Sequence, residues 1–132
     1  MLSNNVLGLD IGDKRIGVAR VNLDAKLPEA LGTYTNDMLF GSKLKGLIKE
    51  YKIDTLIVGL PRNMDGQETA QSALVRDFCD SALKQYNLPI IMQDETLSSV
   101  EAERRLKPNQ GRKSDIDTMS AVIILEDFLK TV

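Results

Sequence analysis

The 132-residue sequence has no histidine and no tryptophan. Without imidazole, Ser-His and Cys-His nucleophile pairs, histidine general bases and histidine-ligated zinc are excluded. The single cysteine, Cys79, has no partner for an intrachain disulfide, which fits a reducing compartment. Aromatic residues make up only 5%, too few to suggest a platform on which bases stack. No apolar run approaches membrane-spanning length and no basic-then-apolar leader opens the chain, so a cytoplasmic protein with no membrane partner is expected. The net charge is −2, so contact with nucleic acid would have to use a local basic patch inside an acidic total. Any metal must be held by oxygen ligands, which points to Mg2+ or Mn2+.

What is present suits one domain over residues 1–132 with a core of its own: 42% of residues are hydrophobic and 27% charged. Residues 5–11 and 15–22 are apolar and rich in β-branched side chains. Gly12-Asp13 separates them, as in a hairpin. A third strand is expected over 29–35. From about Asp37 to Tyr51, the residues Phe40, Leu44, Leu47, Ile48 and Tyr51 recur at helical spacing. A buried strand over 54–60 is stopped by Pro61, and a polar loop follows at 62–66. A helix is expected from Glu68 to Gln85, with Cys79 as a packing residue, and then a strand from Pro89 to Gln93 ending at Asp94-Glu95. Ser98 to Glu101 matches a capping box, so a helix should run from Ser98 through Arg105. A last helix should cover Asp115 to Lys130, with Ile116, Met119, Val122, Ile123 and Leu129 as its apolar positions. Met64, Met92 and Met119 are expected in or near the core. Strands followed by alternating strand and helix imply an α/β fold with a mixed sheet.

Three carboxylates fall at suggestive places. Asp10 is late in the first strand, Glu95 just past the last strand, and Asp117 in the first turn of the final helix. Ligands of such sheets gather at strand ends. Converging carboxylates need compensating cations, and two metal ions about 3.5–4 Å apart could clamp the attacking and leaving oxygens of a phosphodiester. That chemistry needs no histidine. Each acid also has a plainer reading: a turn cap for Asp10, an exposed strand end for Glu95, and half of a Ser114–Asp117 helix cap.

Four segments carry a family resemblance: LGLDIGDKRIGVA, IVGLPRNMDG, DETLSSVEAERRL and DIDTMSAVIILEDFL. In this order they resemble the YqgF/RuvX family, whose members are called Holliday junction resolvases or pre-16S rRNA nucleases. The resemblance spans about residues 5–130. It implies a ribonuclease H-like fold, a five-stranded mixed sheet with the first three strands antiparallel, flanked by helices. It also implies a metal-dependent phosphodiesterase whose catalytic and metal-binding acids fall on Asp10, Glu95 and Asp117. The sequence departs from the family pattern at Asp13, Thr96 and Asp115, each change making the site more acidic or removing a cation. Asp94 and Asp115 are alternative ligands should the register shift.

Cations near these segments are candidates for holding nucleic acid. Lys14 and Arg15 flank the first turn, and Arg62 and Asn63 lie in the loop after the central strand. Arg104, Arg105, Arg112 and Lys113 belong to the densest basic cluster, around a Pro/Gly-containing loop. The expected function is Mg2+- or Mn2+-dependent hydrolysis of structured nucleic acid, with 5′-end processing of precursor 16S ribosomal RNA favoured. The alternatives are a Holliday junction resolvase-like DNA endonuclease and a non-catalytic rRNA-binding factor in ribosome maturation. A nucleotide-binding fragment of the actin/sugar-kinase kind also opens with a similar loop, but those proteins need two such domains. The partners implied are precursor rRNA or branched DNA and ribosomal precursors. The oligomeric state is not legible.

Overall fold

The computed structural model describes residues 4–95, 102, 104–106 and 113–132. Its strands are β1 (Asn5–Ile11), β2 (Arg15–Asn22), β3 (Glu29–Thr35), β4 (Thr55–Pro61) and β5 (Ile90–Glu95). Helix α1 is Phe40–Glu50 and α2 is Ala70–Phe78, continued by a π-helical stretch, Cys79–Leu83, and a 3-10 turn, Lys84–Tyr86. Helix α3 is Lys113–Leu129. The five strands form one sheet in the order β3-β2-β1-β4-β5. β1, β2 and β3 pair antiparallel, while β4 lies parallel to both β1 and β5. This is the ribonuclease H-like arrangement expected from the family resemblance. The capping box at Ser98 and the residues Thr96, Lys107 and Arg112 lie outside the described residues.

Strand alternation sorts the side chains between two cores. Leu7, Leu9, Ile11, Ile16, Val18, Leu56, Val58 and Leu60 are buried against Phe40, Leu44, Val75, Cys79 and Leu83 on the α1/α2 side. Val6, Ala19, Val21 and Ile57 are buried against Ala121, Ile124, Leu125 and Phe128 of α3. The apolar face of α3 only partly matches the one its sequence suggests: Ile123 is buried as expected, but Val122 and Leu129 only flank that core, whereas Ile124, Leu125 and Phe128 form it. Nearly every residue from Met119 to Leu125 is apolar, so helical periodicity is too shallow to name the buried face. Met64 corrects a second expectation. It is 79% exposed in the loop after β4.

Gly17 and Gly59 help to set how closely α3 lies on the sheet. A Cβ on Gly17 would overlap the Asp117 carbonyl, and one on Gly59 would overlap the Ile124 side chain. The helix therefore rests backbone on backbone over β2 and fills the groove above β4 with Ile124. Deleting that side chain would leave a cavity, a change that costs about 2–5 kcal/mol for an isoleucine truncated to alanine in a core.

Candidate active site

Asp10 is the penultimate residue of β1 and pairs with Gly17 across the hairpin. By alternation with Val6 and Gly8 it faces α3, at the end of the sheet where the parallel strands finish. It is not a turn cap. The turn is closed by the backbone, with Gly12 N–H donating to the Arg15 carbonyl at 2.9 Å, and is braced by Asn36 Nδ2 donating to the Gly12 carbonyl at 2.8 Å. The Asp10 carboxylate has no hydrogen bond or ion pair among the described residues. Burial lifts its carboxyl to about 7, and the charge of Asp117 adds to the lift.

Asp117 stands in the second turn of α3, not the first, because the helix begins at Lys113. The helix-cap reading of Asp117 therefore falls. Gly17 brings this turn down onto β2, and Arg15 Nε donates to Asp117 Oδ2 at 2.9 Å. Thr33 and Thr118 share a hydroxyl–hydroxyl hydrogen bond at 2.5 Å, tying the same turn to β3.

Glu95 is the last residue of β5 and not a loop residue beyond it. It is buried, at 9% exposure. Its carboxyl is pushed up to about 9, first by burial, then by a hydrogen bond shared with Asp127 and by the charges of Asp127, Asp10 and Asp94. Its Oε1 is buried without a hydrogen-bond partner among the described residues. Asp127 was not foreseen from sequence; its signal is its place ten residues after Asp117, on a helix that crosses from β2 toward β5. The structure thus brings Asp10 and Asp117 together and sets Glu95 within electrostatic reach of Asp10 but against Asp127. Among the described residues, no three acidic or thiol side chains are gathered as a ready metal cage.

The alternative ligands stand elsewhere. Asp94 alternates to the other face of β5 and lies 3.0 Å from Arg62 Nε. Asp115 lines a separate groove with Ala30, Leu31, Gly32 and Thr118.

The expected nucleic-acid contacts divide. Lys14 and Arg15 line an open pocket of about 300 Å3 together with Gly12, Asp13 and Asp117. Arg62 is engaged within its own surroundings: beside the Asp94 pair, its Nη1 donates to the Gly66 carbonyl at 3.1 Å. The Asn63 side-chain oxygen accepts from the backbone N–H groups of Asp65 and Gln67, which orders the loop. Arg104 is exposed, and Arg105 pairs with Glu126 at 2.6 Å on the surface. Arg112 and the side chain of Lys113 lie outside the described residues. No helix among the described residues is long and apolar enough to cross a membrane.

A family model described as "RuvX: Holliday junction resolvase" matches residues 4–131. A "Putative pre-16S rRNA nuclease" of Thermoanaerobacter pseudethanolicus is 38% identical over 94% of each chain. One of the same description from Halothermothrix orenii is 39% identical over 94% of this chain and 93% of its own. Among solved structures, Thermus thermophilus RuvC superposes with a TM-score of 0.56 at 10% identity over 96% of both chains. The fowlpox virus Holliday junction resolvase superposes with a TM-score of 0.52 at 11% identity, over 97% of this chain and 99% of its own. At such identities these two likenesses speak for the ribonuclease H-like fold alone. The near-complete match to the family model, joined to relatives this similar over nearly their whole length, makes the chain a member of the RuvX family of nucleases.

Proposed function

We propose that this protein hydrolyses phosphodiester bonds in structured nucleic acid with Mg2+ or Mn2+, and that its substrate is the 5′ end of precursor 16S ribosomal RNA. The observation that carries this reading is the Asp10–Asp117 pair at the sheet end: Asp10 is raised by burial and then by the charge of Asp117, and among the described residues the cation paired with Asp117 is Arg15. Divalent ions suit the donors present: all are carboxylate oxygens, and the buried Oε1 of Glu95 lacks a hydrogen-bond partner among the described residues. Asp10, Glu95 and Asp117 would hold the metal, with Glu95 leaving Asp127 to do so. When bound, the metal supplies positive charge for the attacking and leaving oxygens and acidifies the attacking water. Lys14 and Arg15 would hold the substrate phosphate beside these acids, while Arg104, Arg105, Arg112 and Lys113 would steer the nucleic acid by their charge. The substrate choice is supported by the description borne by the relatives.

The test is cleavage of a labelled RNA carrying the 16S 5′ leader, alongside a four-way DNA junction, with Mg2+ or Mn2+ and with chelator. We expect RNA cleavage at the leader boundary, lost with chelator and in Asp10→Asn. Cleavage of the junction alone would assign the resolvase activity instead. A second reading, a non-catalytic rRNA-binding factor, is favoured by the engagement of Glu95 with Asp127. RNA bound by the protein, uncut at every metal concentration and unaffected by Asp10→Asn, would establish it.

A further inference from the structure

Arg15 stands between two things that need a cation. On one side its Nε holds Asp117 Oδ2 at 2.9 Å. On the other lies the open pocket formed with Gly12, Asp13 and Lys14, which Asp117 also lines and where Arg15 is 38% exposed. Nε makes the one side-chain hydrogen bond of Arg15 among the described residues. The backbone beneath it is fixed by the Gly12–Arg15 hydrogen bond and by Asn36, which grips the turn through both the Gly12 and the Lys14 carbonyls. Only the side chain is left to move.

A divalent ion on Asp117 Oδ2 would share that oxygen with a guanidinium, placing two like charges within a few ångströms of each other. The planar fork of arginine is in turn suited to a phosphate in the neighbouring pocket. We propose that Arg15 is a place-holding cation: it occupies Asp117 while no metal is bound and passes to a nucleic-acid phosphate in the pocket formed by Gly12, Asp13 and Lys14 once metal takes Asp117. This rests on the reading of Asp117 as a metal ligand. It makes Arg15 a positioning residue for Asp117 in one state and a substrate contact in the other.

The exchange predicts opposite changes in two binding constants, which a merely structural role would not produce. In Arg15→Gln, Mn2+ binding measured calorimetrically without nucleic acid should tighten about five-fold, the weight of a half-exposed ion pair that no longer has to be broken. Affinity for a fluorescent single-stranded RNA in the presence of Ca2+ should fall about ten-fold, for the loss of a charged phosphate contact. Lys14 lines the same pocket without touching Asp117, so Lys14→Gln should weaken RNA binding while changing Mn2+ affinity less than about two-fold. In the wild type, sulfate standing in for phosphate should tighten Mn2+ binding, a measurement that does not depend on any variant folding. Unchanged or weaker Mn2+ binding in Arg15→Gln, unchanged RNA affinity, or no effect of sulfate would each overturn the exchange. Failure of the underlying reading looks different: no Mn2+ uptake by the wild type, or uptake that Asp117→Asn leaves intact, removes the ligand role of Asp117 and the proposal with it.

Discussion

Asp10 and Gly17 face each other across the β1–β2 ladder, and the space above the glycine is taken by the backbone of Asp117. One residue without a side chain thus brings an acid of a helix beside an acid of a strand more than a hundred positions away in the chain. Gly17→Ala should therefore harm the site more than the fold. A methyl forced into that contact costs about 1–3 kcal/mol, read as a lower urea midpoint. The same variant, folded at low urea, should lose most of its Mn2+ affinity in a calorimetric titration, because α3 must lift at Asp117. Metal affinity equal to wild type would show that the spacing does not matter.

The raised acids make stability depend on pH. In the unfolded chain Asp10 ionises near 4; in the fold it keeps its proton to about 7. The fold is therefore favoured at low pH, and the advantage drains away as pH rises from about 4 to 7. Glu95 extends the loss toward about 9. Asp10→Asn, which carries no charge to bury, should flatten the first part of this decline. Its stability at pH 8 in chelator should exceed wild type by on the order of 2 kcal/mol, seen as a higher Tm. A variant less stable than wild type at pH 8 would contradict the burial of a strained charge.

Divalent metal should reverse that penalty. Protons and metal compete for the same carboxylates, so the rise in Tm on adding Mn2+ should be larger at pH 8 than at pH 6. The rise should vanish in Asp117→Asn at both pH values. An equal rise in that variant would place the metal elsewhere.

The Arg105–Glu126 pair lies on the surface, with each side chain more than a third exposed. Glu126→Gln should change stability by less than about 1 kcal/mol in a denaturation experiment. Neutralising Arg104 and Arg105 together should weaken RNA binding across sequences and lower the slope of log affinity against log salt by about two. An unchanged slope would remove both from the phosphate contacts.

Much of this site is legible in the sequence because strand alternation is local. The spacing of Val6, Gly8 and Asp10 is enough to put Asp10 on one face at the end of β1, and the spans of β1 and β2 follow directly from their apolar runs. The helical and interhelical details are less accessible. Ser114-Asp115-Ile116-Asp117 has the chemistry of a helix start, but the helix begins earlier and carries Asp117 into its second turn. Met64 is apolar, yet Asn63 organises a tight loop in which it is exposed. The contact of Glu95 with Asp127 joins two elements whose approach depends on Gly59 and Ile124, and no local pattern announces it. Arg62 has the look of a phosphate contact, but Asp94, one residue before Glu95, takes its charge.

The sheet edge at β3 has a consequence for how copies of this protein meet. The register against β2 shifts between Val18 and Ala19, leaving Leu31 opposite no partner, and Gly32 beside it has a φ of 133°. Glu29 opens the strand, paired with Arg20. An outer strand that is kinked and charged offers no flat ladder of free amides for a neighbouring chain to extend. Strand-by-strand growth into fibres is blocked at that border by backbone shape.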